Sequence, residues 1–342
     1  MGKDKYGVAI QGAAGGWGVM HLKAYLAHPK VQVVALCDIN AEGAKARAEA
    51  FGLSCKIYTD FEKVLSDPDV DVISIVTPSC YHARDAVFAM QANKHVLVEK
   101  PIATTLDQLA LIKKTISETK VKTMAGFVLR WNGMFLTLKE LMKEGAIGDV
   151  FMAQADFWQN VGWIDVPMNA WLGKKAVAGS SMLAAACHPF DAVRWLLGGV
   201  EAVEVFAYGT NFVFPEWDHN PTTMALMKLS NGAICKLVST LEPCAPYLLR
   251  VELLGTQGAI RNNRLYVRRW PMREEYIELP CEVPGLAVLD DPMRLEIAHF
   301  IDCIENNVES HVNLEDAIKT HEALMAADLS VAEGKPVKLP LI

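Results

Sequence analysis

The sequence lacks several features that mark whole classes of protein. Its eight cysteines form no Cys-x-x-Cys pair, which argues against a disulfide framework and fits a reducing cytoplasm. It contains no run of eighteen apolar residues and so offers no membrane-spanning segment. Its formal net charge of −7 gives no electrostatic reason to bind nucleic acid or an anionic membrane. We therefore expect a globular cytoplasmic protein with no nucleic-acid partner and no membrane partner.

The length of the chain indicates more than one domain. A chain of 342 residues exceeds the usual size of one compact core, so two domains are expected. The hydrophobic fraction of 51% and the charged fraction of 21% are ordinary for soluble proteins. A change in the pattern of strands and helices divides the chain into residues 1–124 and 125–342. We expect the C-terminal helix to pack back on the first domain.

The first chemical motif is a glycine-rich turn between a strand and a helix. A short apolar strand over Tyr6–Gln11 runs into Gly12-Ala13-Ala14-Gly15-Gly16-Trp17-Gly18, and a helical pattern follows. Glycines let such a turn tighten and let backbone amides approach a pyrophosphate at the helix N-terminus. The spacing is Gly-x-x-Gly-x-x-Gly rather than the commonest Gly-x-Gly-x-x-Gly, so the turn needs support from its surroundings.

Asp38 supplies that support. It follows a second strand, Val31–Cys37, and lies twenty residues after Gly18, where a carboxylate accepts hydrogen bonds from an adenine ribose. Strand, turn, helix and acid together predict a dinucleotide site. A carboxylate at this position repels a 2′-phosphate, and the neighbouring Ile39 and Asn40 provide no arginine to receive one. The cofactor is therefore predicted to be NAD rather than NADP.

A buried strand over Val96–Val98 ends abruptly in Glu99-Lys100-Pro101. Pro101 biases Lys100 toward an extended backbone and prevents an ordinary strand from continuing. Strands alternate with helices throughout the first half, which predicts right-handed crossovers and a parallel sheet. Charged residues at the carboxyl end of a buried parallel strand lie where open α/β sheets bind ligands. A solvated Glu-Lys pair at a strand end is the alternative.

Another buried strand, Val70–Val76, ends in Thr77-Pro78 on the same predicted rim as the glycine turn. His82 opens the next helix, where it could serve the cofactor site or only form hydrogen bonds at the helix start. The predicted cofactor-binding residues come from these strand ends and turns. They are Gly12, Gly15, Gly16, Trp17, Gly18, Asp38, Thr77, Pro78, His82, Glu99 and Lys100.

In the second half, strands follow one another without helices between them. The predicted strands are Val150–Trp158, Val203–Phe206, Thr222–Leu229, Ala233–Thr240, Leu248–Leu254 and Arg264–Arg269. Ser230-Asn231-Gly232 between two of them is a strong hairpin signal. This pattern predicts an α+β domain with an antiparallel or mixed sheet. Because one face of such a sheet must be covered, we expect a homodimer or homotetramer.

A strongly apolar helix predicted over Met182–Leu197 carries His188 and Asp191 on one face. A histidine on such a helix is more often a satisfied core residue than a catalyst. A neighbouring aspartate that could orient the ring favours a general base instead. No zinc-ligand spacing is recognisable, so no metal site is predicted. Among the tryptophans that cluster before this helix, Trp131 and Trp163 could line a sugar site or pack a core.

Taken in order, these motifs resemble the glucose–fructose oxidoreductase / inositol dehydrogenase / MocA family. The segments that carry the resemblance are Gly15–Gly18 with His21, Asp38, Thr77-Pro78-Ser79 with His82, His95–Pro101, Gly126–Asn132, His188–Asp191 and Glu333–Val337. The resemblance covers essentially the whole chain. It implies an α/β Rossmann domain with a doubly wound parallel sheet. An α+β domain with an open, mostly antiparallel sheet follows, and members often assemble into dimers or tetramers.

The resemblance also implies an activity. Most members oxidise or reduce a secondary hydroxyl of a sugar, polyol or sugar derivative with NAD or NADP. Lys100 matches the shared catalytic lysine, and His188 matches the usual proton acceptor. With Asp191 these are the predicted catalytic residues. The predicted substrate-binding residues are Lys100, Arg130, Trp131, Trp163 and His188.

The sequence departs from the family at Ala184, where many members carry Asp four residues before the histidine. Either Asp191 orients His188 instead, or Lys100 and His188 suffice, or the activity is not a plain polyol dehydrogenation. The small side chain of Ala184 would also admit a bulky aglycone or a second sugar. The leading hypothesis is an NAD-dependent dehydrogenase of a sugar, polyol or glycoside. The alternatives are an NAD-dependent glycosidase or lyase acting through transient oxidation, and a non-catalytic sugar- or NAD-sensing regulator.

Overall fold

The structure, a computed structural model, describes residues 3–162, 171–270, 275–285 and 290–342. The chain forms two compact units. The first comprises Met1–Val128 and Leu289–Ile318, and the second comprises Leu129–Val288 and Lys319–Ile342. The predicted boundary after residue 124 falls four residues before the end of the first segment.

The first unit is built on a parallel sheet. Its strands are β1 Tyr6–Gln11, β2 Val31–Cys37, β3 Lys56–Tyr58, β4 Val72–Ile75, β5 His95–Val98 and β6 Thr123–Ala125. Among the described residues these six strands run in the order β3-β2-β1-β4-β5-β6, and neighbours pair in parallel. β1 and β4 are buried along their whole length, as expected for strands with both faces covered. The predicted Rossmann sheet is confirmed.

Helices follow the strands of this sheet. They are α1 Gly16–Leu26, α2 Ala41–Ala50, α3 Phe61–Leu65, α4 Ser79–Gln91 and α5 Leu106–Glu118. Asn40, Asp60 and Thr105 cap α2, α3 and α5, because their side chains accept hydrogen bonds from backbone amides of the first turn. The strand order reverses between β1 and β4. In open α/β sheets, ligands bind at such a reversal, outside the carboxyl ends of the strands.

The second unit carries a larger sheet. Its strands are β7 Val150–Trp158, β8 Ala202–Thr210, β9 Thr222–Leu229, β10 Ile234–Thr240, β11 Leu248–Gly255, β12 Gly258–Arg261, β13 Arg264–Val267, β14 Ile277–Glu278 and β15 Val337–Lys338. Within the described ranges the order is β14-β13-β12-β11-β7-β10-β9-β8-β15, and all neighbours are antiparallel except β7 and β10. Gly232, at φ +87°, turns the predicted hairpin between β9 and β10. The predicted α+β domain with a mostly antiparallel sheet is confirmed.

Further helices complete the chain. They are α6 Gly133–Lys143, α7 Lys175–Ala178, α8 Cys187–Leu196, α9 Asp290–Glu305 and α10 Leu314–Glu333, with a 3₁₀ turn over Val128–Trp131 and a π-helical turn over Met182–Ala186. The single helix predicted over Met182–Leu197 is therefore a π-helical turn followed by α8. The apolar run Met182–Ala186 suits either form of helix, so its composition does not reveal the wider turn.

Residues far along the chain return to the first unit. There α9 packs against α1. The outer edge of β6 is covered by the segment that precedes α10. Ala125 N donates to Val312 O at 3.0 Å, and Leu314 N donates to the Thr123 hydroxyl at 3.2 Å. This segment therefore occupies part of the outer edge of β6, which another chain could otherwise pair with.

The described residues offer neither a membrane-spanning helix nor a cluster of metal ligands. No helix among them combines the length and apolar character needed to cross a lipid bilayer. The same residues contain no group of histidine, cysteine, aspartate or glutamate side chains able to hold a metal ion. All eight cysteines lie in the described part of the chain, and all are free thiols.

Candidate active site

The carboxyl ends of three neighbouring strands bring predicted cofactor residues together. Gly12, Thr77 and Lys100 follow β1, β4 and β5 within two residues of each strand end. Val76 N donates to Gln11 O at 2.9 Å, which fixes the end of β4 against the end of β1. These residues therefore lie on one rim of the sheet, at the reversal of strand order.

The glycine turn is tight at two positions. Gly12 has φ +93°, and a Cβ built on it would lie 2.7 Å from Val76 O. A Cβ on Gly18 would lie 2.7 Å from Ala13 O. Real Cβ atoms do not tolerate such contacts with backbone, so both positions require glycine. The turn holds the start of α1 close to the sheet.

The N-terminus of α1 is open. Gly15 is its N-cap residue and has no side chain to cover the first amides of the helix. Apart from its chain neighbours and the backbone of its own helix, no atom lies within 4 Å of the position that a Cβ on Gly16 would take, and Trp17 is 41% exposed. Uncovered amides at a helix N-terminus carry a partial positive charge and bind phosphate oxygens.

Asp38 is partly exposed after β2 and braces the same turn. Its Oδ2 accepts a hydrogen bond from Ala14 N, and its Oδ1 accepts one from Asn40 N, both at 2.9 Å. Arg47 of α2 donates to Ala14 O at 3.2 Å, so the turn is held from both sides. The sequence analysis missed Arg47, because its place on an Ala-rich helix carries no signal of this contact.

Glu99 is turned into the protein. It is 6% exposed, its Oε1 lies 2.9 Å from His21 Nε2, and its Oε2 accepts a hydrogen bond from Lys100 N at 3.1 Å. His21 Nδ1 lies 2.7 Å from the Ser74 hydroxyl. A Cβ on Gly126 would come within 3.1 Å of the Glu99 carboxylate. A solvated Glu-Lys pair is therefore the wrong interpretation for Glu99, which fixes the backbone at Lys100.

His82 is also buried. Its Nδ1 lies 2.7 Å from Pro101 O, and its Nε2 lies 2.6 Å from Thr77 O. Burial lowers the pKa of His82, against the raising effects of the two carbonyls and of the Glu99 and Asp85 carboxylates. A neutral imidazole has one N–H, so the ring donates to one of these carbonyls and packs its other nitrogen against the second.

His188 lies on a mostly buried stretch of the second unit. Over the described residues 181–194, only Ala184 and His188 keep partial exposure. They are four residues apart and flank the junction between the π-helical turn and α8. His188 is therefore more accessible than a histidine in a core, and Ala184 is the other accessible position beside it.

The other candidate substrate residues have different environments. Arg130 and Asp191 are buried and form an ion pair with a shortest N–O distance of 2.7 Å. This pairing favours a structural role for Asp191 over that of a partner for His188. Trp131 is 7% exposed, which favours packing over contact with a sugar. Trp163 lies outside the described residues.

The rim of the first unit has the features that NAD requires. The open N-terminus of α1 suits a pyrophosphate, and the positive φ of Gly12 lets the backbone pass close to it. The carboxylate of Asp38 suits a ribose with free hydroxyls. Thr77 and the exposed Pro78 end the adjacent strand.

Curated proteins of similar sequence are oxidoreductases. The chain is 26% identical to the uncharacterized oxidoreductase YrbE of Bacillus subtilis, over 95% of this chain and 94% of that protein. It is 25% identical to the inositol 2-dehydrogenase of Rhizobium meliloti, over 95% of this chain and 97% of that protein. It is 27% identical to the levoglucosan dehydrogenase of Pseudarthrobacter phenanthrenivorans, over 68% of this chain and 65% of that protein.

Solved structures share the fold of the whole chain. A levoglucosan dehydrogenase in complex with NADH superposes with a TM-score of 0.89 at 23% identity, covering 99% of this chain and 100% of that one. The scyllo-inositol dehydrogenase of Lactobacillus casei with bound NAD(H) and scyllo-inositol superposes with a TM-score of 0.82 at 23% identity. The superposition covers 98% of this chain and 99% of that one.

Two family matches account for most of the chain. Residues 6–127 match the oxidoreductase family with an NAD-binding Rossmann fold, and residues 135–261 match the GFO/IDH/MocA C-terminal domain. With the Rossmann sheet and the NAD-compatible rim, these matches show that the chain is an NAD-binding oxidoreductase of the GFO/IDH/MocA family.

Proposed function

We propose that the protein is an NAD-dependent dehydrogenase that oxidises or reduces a secondary hydroxyl of a sugar, polyol or glycoside. The observation that carries the proposal is the position of Lys100. It lies at the carboxyl end of β5, and its backbone amide donates a hydrogen bond to the buried carboxylate of Glu99. The names of the related inositol and levoglucosan dehydrogenases support this class of substrate.

In this proposal the rim residues hold the cofactor. The glycine turn from Gly12 to Gly18 takes the pyrophosphate, Asp38 takes the adenine ribose, and Thr77-Pro78 bounds the nicotinamide side. When bound, NAD supplies the hydride acceptor or donor. Glu99 and His82 serve the site through the backbone, because their polar atoms are engaged with other groups of the protein.

Lys100 and His188 are the proposed acid–base residues. Both side chains are partly exposed, so each can meet a substrate. The ammonium group of Lys100 aligns the reacting hydroxyl and stabilises negative charge that develops on its oxygen. The neutral imidazole of His188 accepts the hydroxyl proton, with which it becomes a cation. Arg130 and Asp191 form a buried ion pair within the second unit and have a structural role in this proposal.

A substrate panel tests the proposal. Purified protein with NAD is offered myo-inositol, scyllo-inositol, levoglucosan, free hexoses and aryl glycosides, and NADH absorbance is followed. We expect NADH to form with at least one of them and the rate to collapse in Lys100→Ala. Release of an aglycone without NADH would instead identify a glycosidase, and binding without turnover of any compound would identify a sensor.

The sheet of the second unit is the proposed surface for assembly into a homodimer or homotetramer. On β9, Met224 and Leu226 are 51% and 59% exposed, while the alternate residues Ala225 and Met227 are buried. Tyr208, paired with Met224 across β8 and β9, is 72% exposed. Such a contiguous apolar face is typical of a protein interface.

Sedimentation at micromolar concentration tests the assembly. We expect a dimer or tetramer for the native chain and a monomer for Leu226→Glu, because a buried carboxylate without a partner opposes the interface. Leu111→Glu is the matched control, since Leu111 is 45% exposed on α5 of the first unit.

We also propose that the protein works in the cytoplasm, where its free thiols remain reduced.

A further inference from the structure

One face of α4 reaches the ends of three strands. His82 and Asp85 lie three residues apart on this helix, 2% and 0% exposed. The ring of His82 touches the carbonyl oxygens of Thr77, after β4, and of Pro101, after β5, at 2.6 and 2.7 Å. Asp85 accepts a hydrogen bond from Gln11, the last residue of β1, at 3.3 Å.

These contacts bear directly on the position of Lys100. Its amide is held by the Glu99 carboxylate at 3.1 Å, and the next carbonyl, that of Pro101, is held by His82. The backbone on both sides of Lys100 is therefore fixed by buried side chains. His82 has no ring nitrogen left for a cofactor, because the two nitrogens contact the carbonyls of Thr77 and Pro101.

We propose that His82 is a positioning residue for the dehydrogenase reaction: its single ring N–H donates to one of the carbonyls of Pro101 and Thr77, its other nitrogen packs against the second, and the ring thereby sets the place of Lys100. The inference rests on the proposed function, in which Lys100 meets the reacting hydroxyl. A displacement of a catalytic group by about 1 Å can cost about 10²-fold in rate. In this proposal His82 prevents a displacement of Lys100 of that size, although it touches neither substrate nor cofactor.

Three variants separate this role from general stability. His82→Leu removes both ring contacts at similar volume. His82→Gln keeps an N–H donor for one carbonyl but loses the rigid ring that lies between the carbonyls of Thr77 and Pro101. His95→Gln is the matched control, because the His95 ring accepts a hydrogen bond from Lys122 N at 2.9 Å at the opposite end of β5.

The measurements are kcat and KM on the best compound of the panel, the NAD dissociation constant by calorimetry, and amide hydrogen exchange of residues 74–82 and 96–104. We expect kcat to fall about 10²-fold for His82→Leu and about tenfold for His82→Gln. KM and NAD affinity should stay within about threefold, since the contacts of the His82 ring with Thr77 and Pro101 involve neither the glycine turn nor Asp38, which hold the pyrophosphate and the adenine ribose in the proposed function. The amides of Lys100 and Ile102 should exchange faster in both variants but not in His95→Gln.

The possible outcomes separate this inference from the proposed function. A His82→Leu protein with kcat within about threefold of the native value would overturn the positioning role. Equal losses in His82→Leu and His95→Gln would also overturn it, because they would indicate a general effect of losing a histidine ring beside β5. If the native protein forms no NADH with any compound, the proposed function fails. Amide hydrogen exchange then tests alone whether His82 holds the backbone around Lys100. Unchanged exchange at residues 96–104 then overturns the role of His82 in holding the carbonyl of Pro101 in place. If His82→Leu does not fold, His82→Gln decides, and native turnover in it overturns the inference.

Discussion

Arg130 and Asp191, 61 residues apart in the sequence, meet through two parallel hydrogen bonds, Nε to Oδ2 at 2.8 Å and Nη2 to Oδ1 at 2.7 Å. Thr320 donates a third hydrogen bond to Asp191 Oδ1 at 3.3 Å, and Arg194 donates to the Thr320 hydroxyl at 2.8 Å. The carboxylate is thus committed to its buried neighbours. We infer that Asp191 anchors Arg130 and contributes to stability more than to proton transfer.

Asp191→Ala should therefore destabilise the protein. Removal of one partner of a buried ion pair costs about 3–5 kcal/mol, because the other charge stays buried without compensation. The double variant Arg130→Met with Asp191→Leu should recover most of that loss. Urea unfolding measures both, and Glu140→Ala, which breaks the exposed pair with Lys143, is the control that should change nothing measurable. If Asp191→Ala unfolds at the native urea concentration but loses most of its turnover, Asp191 is a catalytic residue and this prediction is wrong.

Substitution by alanine should lower the free energy of unfolding at one glycine of the turn but not at another. Gly12→Ala puts a Cβ at positive φ and 2.7 Å from Val76 O, so we expect a loss of at least about 1–3 kcal/mol in the free energy of unfolding and weaker NAD binding. Gly16→Ala meets no atom within 4 Å apart from its chain neighbours and the backbone of its own helix, and should leave the free energy of unfolding unchanged or slightly raised. Thermal unfolding distinguishes them, and equal effects would show that the turn is looser than described.

Lys100→Ala and His188→Ala should each lower turnover by about 10²–10⁴-fold, the usual effect of losing one positioned acid–base group. Lys100 should be the worse loss, because it also stabilises negative charge on the reacting oxygen. NAD affinity should stay near native in both variants, since neither residue belongs to the phosphate or ribose site. Lys120→Ala, at an exposed lysine of the first unit, is the control. Near-normal turnover in His188→Ala would leave Lys100 or a bound water as the base.

Asp38 should set the choice between NAD and NADP. Its carboxylate would face a 2′-phosphate, so we expect at least about tenfold tighter binding of NAD, or about 1.4 kcal/mol. Asp38→Ala should narrow the ratio, although it weakens both cofactors by releasing Ala14 N. Calorimetry with both dinucleotides measures the ratio, and Asp60→Ala, which removes only the cap of α3, should not alter it. Comparable native affinities for NAD and NADP would contradict the prediction.

Asp328 on α10 predicts a dependence of stability on pH. Asp328 keeps partial exposure, and the burial of its carboxyl raises its pKa from 3.8 to about 6, against the lowering effect of a hydrogen bond from Ser180. Between these values the folded protein keeps a proton that the unfolded chain has lost, so this group's contribution to stability falls as pH rises from 4 to 6. Asp328→Asn should therefore stabilise the protein at pH 8 by about 1–3 kcal/mol but not at pH 4.

Thermal unfolding at the two pH values measures the effect of Asp328→Asn. Glu333→Gln, at an exposed carboxylate of the same helix, is the control and should show no such difference. A gain at pH 8 equal to the gain at pH 4 would show that the carboxyl titrates normally.

Much of the first unit could be predicted from local sequence. Strand, glycine turn and helix follow one another from Tyr6 to Leu26, and Asp38 ends the next strand, so short-range signals suffice there. The hairpin before β10 was equally readable from Asn231 and Gly232. These features depend on neighbours in the chain, which a sequence displays directly.

The partners of buried polar residues could not be predicted in the same way. Glu99 meets His21 across 78 residues, and Arg130 meets Asp191 across 61. Such pairs depend on how the layers pack, and no spacing in the sequence reports them. The spacing of His188 and Asp191 along the helix predicts that the two act together, whereas in the structure the Asp191 carboxylate accepts two hydrogen bonds from Arg130, 61 residues away.

The return of residues 289–318 to the first unit affects how the protein is made. A chain emerging from the ribosome completes β6 early, but Val312 and Leu314, which cover its outer edge, are synthesised nearly two hundred residues later. During that interval the nascent sheet has an open edge, and the face of α1 that packs on α9 is bare. Because N-terminal segments fold first during synthesis, the first unit must wait for the second before it can close. During this interval the uncovered edge of β6 is the part of the nascent first unit that another copy of the chain could pair with.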